Sequence, residues 1–147
     1  MATSSHPHAW RKLLVPTDFS DSARVALETA VEMQRHSGLE VLLLHVAEPA
    51  YQGLRVQTAE LHSQMRHEAA EMLKKLAVEL FPDAAKVRVL VKDGRPAEVI
   101  CQTAKEEQVD AIVIPTHGHS GLKHALLGSV TDKVVRQASC HVLIVKD

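Results

Sequence analysis

Two short stretches of this chain hold most of the residue types that can do chemistry. Pro16-Thr17-Asp18 puts a carboxylate directly behind an apolar run, and Thr116-His117-Gly118-His119-Ser120-Gly121 leads, through residues 122–127, to Gly128-Ser129. A carboxylate just past a strand can accept hydrogen bonds from ribose hydroxyls or help to hold a metal ion. It serves equally well as a turn aspartate that starts the next helix. Glycines let a backbone approach an anion closely, and the N–H groups and dipole at a helix N-terminus favour phosphate. Ser129 suits a phosphate oxygen, a bound metal ion, or a simple N-cap role.

The commoner phosphate loops are missing: the chain contains neither G-x-x-x-x-G-K-[ST] nor G-x-G-x-x-G. Gly118-His119-Ser120-Gly121 is one residue short of a G-x-S-x-G nucleophile elbow, so no serine hydrolase is implied. His117, His119 and His124 are metal-ligand types, but no H-E-x-x-H or cysteine partner supports them, and solvated loop histidines are the plainer expectation. His117-Gly118-His119 is similar to the paired-histidine motif of nucleotidyl-transferring enzymes, yet there the motif follows the first strand and here the fourth. Cys101 and Cys140 lack C-x-x-C spacing, which argues for reduced, small buried hydrophobes rather than redox sensors, disulfides or zinc ligands.

These stretches need a scaffold. The 147 residues suit one domain, and 46% hydrophobic with 24% charged residues fits an ordinary globular core. The formal net charge of −1, with no basic run, advertises neither a nucleic-acid nor a membrane surface. Ten histidines give a charge that changes markedly in acid. Residues 1–10 are expected to form a flexible tail before a domain at 11–147. With no apolar leader segment and no run near the ~20 residues of a membrane span, a cytoplasmic protein is expected.

Leu13-Leu14-Val15-Pro16 is the pattern of a strand buried on both faces. Ser20 offers an N-cap, Asp21 suits the positive helix start, and Ala23, Ala26, Leu27, Ala30 and Val31 repeat at helical spacing until Gly38 stops the helix. A second buried strand spans 41–46, with a lid-length loop at 47–56. The stripe of Leu61, Met65, Ala69, Met72, Leu73, Leu76 and Leu80 predicts a core-facing helix over about 57–81, ended by Pro82. Val87, Val89 and Val91 alternate as in an edge strand, and Pro96 opens a third helix, to about Glu107, with Cys101 inward. Ala111-Ile112-Val113-Ile114 is a fourth strand, followed by the glycine-bearing loop. A helix with Val130, Val134, Val135 and Ala138 inward comes next, and a last strand runs from His141 to Val145. Alternating strands and helices predict a doubly wound α/β fold, a five-stranded, mainly parallel sheet with helices on both faces. Ligands of such sheets sit beyond the carboxyl ends of the strands, where the winding reverses.

From Lys12 to Lys146 the sequence resembles the universal stress protein family. The matching pieces are Leu14-Val15-Pro16-Thr17-Asp18-Phe19-Ser20, Leu43-Leu44-His45-Val46, Gly94-Arg95-Pro96, Thr116-His117-Gly118, Leu126-Leu127-Gly128-Ser129-Val130 and Val142-Leu143-Ile144-Val145. The resemblance implies a Rossmann-like, adenine nucleotide alpha hydrolase-like fold and a stress-response regulatory role. It also implies a site for ATP or a related adenine nucleotide, with Mg²⁺ as a possible companion. Nucleotide-binding members carry G-x2-G-x9-G-[S/T], matched here by Gly118, Gly128 and Ser129, with Pro115 in place of the first glycine. Proline removes one N–H that this glycine would offer. By the same resemblance Asp18 meets the ribose, Val46 packs on adenine, and Gly118, Gly128, Ser129 and Val130 meet the phosphates. Pro16, Thr17 and Ile114 are placed in the same pocket, although Ile114 also reads as core. Family dimers pair through the last strand, so a homodimer through His141 to Val145 is implied, and a nucleotide-independent homodimeric scaffold or chaperone-like protein is the rival reading. No general base is placed, which leaves at most slow ATP hydrolysis or autophosphorylation.

Overall fold

A computed structural model describes residues 9–48, 59–118 and 126–146. The expected tail before Ala9, most of the lid-length loop, and His119, Ser120, Gly121 and His124 lie outside the described residues. The elements are β1 (Lys12–Pro16), α1 (Asp21–Ser37), β2 (Glu40–Ala47), α2 (Ala59–Leu80), β3 (Val87–Asp93), α3 (Pro96–Glu106), β4 (Ala111–Pro115), α4 (Ser129–Gln137) and β5 (His141–Val145). All recorded pairings are parallel and the sheet order is β3-β2-β1-β4-β5, so the sheet is wholly rather than mainly parallel.

The period of two along each strand divides the core into layers. Leu13, Val15, Val41, Leu43 and Val113 face α1 and α2, where they meet Ala26, Leu27, Ala30, Leu73 and Ala77. Leu14, Leu42, Leu44, Ile112 and Ile114 face α3 and α4, against Ala97, Ile100, Ala104 and Val134. Strands with two buried faces need apolar residues at every position, which explains the unbroken runs in β1 and β4.

The helix ends follow their expected chemistry. Ser20 caps α1 through its side chain, which accepts from Ala23 N at 3.1 Å, and Gly38 closes the helix at φ 63, donating to Gln34 O at 2.8 Å.

Four residues expected in the core are exposed instead. Leu61, Met65 and Met72 are 46%, 49% and 48% exposed, because α2 meets the core through Ala69, Leu73 and Ala77, with Leu76 and Leu80 half-buried beside them. Val135 is also exposed, since the sheet-facing position in α4 goes to its neighbour Val134. Cys101 does pack inward against the α3/α4 layer.

Asp110 fastens three strands at their amino ends. Its Oδ2 accepts from Arg11 N at 2.7 Å and Lys12 N at 2.9 Å, its N–H donates to Lys12 O, and its carbonyl accepts from His141 N. The Arg11 backbone hydrogen bond is the chief reason its carboxyl sits below the usual range. A depressed carboxyl stabilises the fold above the unfolded group's pKa, and that contribution is lost as pH falls through the folded value. Asp110→Ala should therefore lower stability at pH 7 by about 1 kcal/mol. In urea titrations the gap to wild type should begin to close as pH falls below about 3.9, the ordinary value of the unfolded carboxyl, and vanish only when the depressed folded carboxyl is itself protonated; a gap of constant size would contradict this role.

Candidate functional site

The winding reverses between β1 and β4, and the chain segments leaving those two strands face each other. On the β1 side, Thr17 N donates to Leu44 O at 2.8 Å, so the turn stays tied to β2. Thr17 Oγ1 accepts from Phe19 N at 3.0 Å, and Asp18 Oδ1 accepts from both the N–H and the hydroxyl of Ser20. Asp18 is thus the turn aspartate of the plainer reading through one oxygen, while the other points across the gap. A Cβ added at Gly118 would lie 2.9 Å from Asp18 Oδ2, so only a glycine leaves that space open.

On the β4 side, Thr116 N donates to Val145 O at 3.2 Å and Thr131 Oγ1 donates to Pro115 O at 2.7 Å. Gly128 N donates to Thr116 O at 2.7 Å, and a Cβ at Gly128 would press at 3.2 Å on Thr116 O and on His117 Cα. Gly128 therefore serves by closeness and as the N-cap of α4, with its own N–H already engaged. The first-turn N–H groups of α4, from Ser129 onward, are the ones that helix geometry leaves without intrahelical acceptors. Thr116 Oγ1 lies 2.9 Å from His117 Nδ1, and His117 Nε2 is buried with no partner among the described residues.

Between these walls lies a crevice of about 130 Å³, open toward solvent. Of the residues singled out from the sequence, Pro16, Thr17, Asp18, Val46, Ile114, Gly118 and Val130 line it. Gly128 and Ser129 stand beside it at the head of α4. Ile114 satisfies both readings, being 3% exposed in the core and part of the crevice wall. The sequence reading missed Glu48, Pro96, Ile100 and Thr131, which also line it. Ile100 and Thr131 sit inside amphipathic helices, where their spacing signals only core. The apolar floor and polar rim suit a flat ring below and charged groups above.

On the other side of the sheet the same turn carries Phe19 at φ 63, with its ring 4.8 Å from that of His45. His45 Nδ1 in turn lies 2.9 Å from Thr17 O. Burial raises the thiols of Cys101 and Cys140 above their ordinary range, which makes both poor nucleophiles.

The profile of the Universal stress protein family matches residues 9–146. Universal stress protein MJ0577 of Methanocaldococcus jannaschii is 32% identical over 93% of this chain and 95% of its own length. Universal stress protein YxiE of Bacillus subtilis is 31% identical over 93% and 99%. The solved structure of MJ0577 superposes with a TM-score of 0.80 at 34% identity, covering 94% of this chain and 96% of that one. Two further structures share the fold at 24% identity: a universal stress protein in complex with cAMP, with a TM-score of 0.65, and an Arabidopsis thaliana member with AMP bound, at 0.58. They cover 95% and 92% of this chain, and 98% and 91% of their own. Sequence and architecture thus agree over nearly the whole length, and the chain belongs to the universal stress protein family.

Proposed function

We propose that this protein is a stress-response regulator of the cytoplasm that binds ATP or a related adenine nucleotide in the crevice between the β1 and β4 turns. One observation carries the reading: Asp18 and Gly118 close on each other from opposite walls of that crevice, beside the head of α4. Val46 and Ile114 offer apolar surface to adenine, and the first-turn N–H groups of α4 offer donors to phosphate. The Asp18 carboxylate so near Gly118 would repel a polyphosphate unless a cation such as Mg²⁺ lay between them. The cAMP and AMP complexes of structurally similar proteins support an adenine ligand.

Calorimetric titration with ATP and AMP, with and without Mg²⁺, tests the proposal. Binding at about millimolar strength or tighter is expected, with ATP gaining more from Mg²⁺ than AMP does. Asp18→Ala should weaken Mg²⁺-dependent ATP binding by roughly tenfold or more. No detectable heat with either nucleotide would end the reading.

A homodimer is favoured by β5, whose recorded pairing is on its β4 side only and whose Val142, Leu143, Ile144 and Val145 are half-buried at the sheet edge. A nucleotide-independent scaffold built on that edge is the second reading. Sedimentation should give twice the chain mass, and Val142→Lys with Ile144→Lys should return the monomer; an unchanged dimer would move the interface elsewhere.

A further inference from the structure

His45 stands on the face of β2 turned away from the crevice. Val41 and Leu43 face α1 and α2, and the period of two carries His45 to that same side, whereas Leu44 and Val46 face the layer in which the crevice opens. From there His45 touches the turn after β1 at two points. Its Nδ1 lies 2.9 Å from Thr17 O, and its ring lies 4.8 Å from that of Phe19. A carbonyl oxygen only accepts, so Nδ1 carries the hydrogen. The main-chain ladder between β1 and β2 stops at the Pro16–Leu44 pair, with Thr17 N on Leu44 O as its last bond. In parallel register the next bond would run from Val46 N to Thr17 O. The His45 side chain serves that carbonyl in place of the ladder.

Thr17 is thus gripped at both ends by β2, its N–H by Leu44 and its carbonyl by His45, and it is buried. That carbonyl belongs to the peptide unit leading into Asp18. A planar peptide held at its oxygen sets the direction in which the Asp18 side chain leaves the turn. One residue on, Phe19 holds φ 63, a conformation that a bulky residue keeps only where its neighbours impose it. Its N–H is fixed on Thr17 Oγ1 and its ring lies against His45. We propose that His45 is a positioning residue: from behind the sheet it holds the Thr17–Asp18 peptide and the left-handed Phe19 in the arrangement that presents the Asp18 carboxylate to a nucleotide-bound cation. This role rests on the nucleotide reading above and extends it to a residue on the far face of the sheet.

His45→Leu removes the donor, while His45→Asn keeps one, since the asparagine amide nitrogen can stand where Nδ1 does. Calorimetry with ATP and Mg²⁺ should show His45→Leu weaker than wild type by about three- to tenfold, and His45→Asn should recover that loss. In an Asp18→Ala background His45→Leu should add nothing, because the histidine acts through Asp18. Nitrogen NMR spectra of the wild-type imidazole should place the hydrogen on Nδ1, a readout independent of how well any variant folds. Wild-type affinity in His45→Leu, equal weakness in the Leu and Asn variants, additive losses in the double variant, or a ring protonated on Nε2 alone each overturns the role and leaves the nucleotide reading standing. If wild type binds no nucleotide, that reading falls and the positioning role falls with it.

Discussion

A strand without a polar face can lie only between two layers of helices, and β1 and β4 are such strands. Leu13, Leu14 and Val15 in one, and Ala111, Ile112 and Val113 in the other, are fully buried. Roughly 1.5–3 kcal/mol is at stake for each large apolar side chain that leaves water, so neither strand can drift to the edge. Their central place fixes everything downstream. The chain leaves both at the same rim of the sheet, and the next residues along, Thr17-Asp18 and Thr116-His117-Gly118, have to share that rim.

What the rim does is governed by close approach rather than by any single strong interaction. Gly118 and Gly128 are set where a methyl group would meet an oxygen or a main-chain carbon within 2.9–3.2 Å. Protein interiors relax only partly when crowded, so these two positions set the width of the crevice. Among the described residues, the charged ones lining it, Asp18 and Glu48, are both acidic, and these two favour an anion that brings its own cation.

The fold was largely legible because unbroken apolar runs, a serine cap and a glycine stop are local signals. The edge placement of β3 followed from the alternation of Val87, Val89 and Val91, which are half-buried as that pattern requires. Most of the site was legible as well, through residues that stand next to strand ends. The failures share a cause. A helical repeat shows which residues lie on one face, but not how wide a strip the sheet covers, so Met65 and Met72 were assigned to a core that α2 builds from Ala69, Leu73 and Ala77. Asp110 gave no signal, because its carboxylate serves backbone groups 98 and 99 residues away. Pro115 was visible as a lost hydrogen, but the direction in which that hydrogen would have pointed depends on the register.

The Asp110 fastening sits at the far end of the short β1–β4 ladder from the crevice. β1 and β4 are bound together at one end of the sheet and released at the other, with only the Leu13–Ala111 and Leu14–Ile112 pairs between. The join between the two central strands thus lies wholly at the end remote from the crevice, and the crevice end of each is held instead by its outer neighbour, Pro16 beside Leu44 and Pro115 beside Val145.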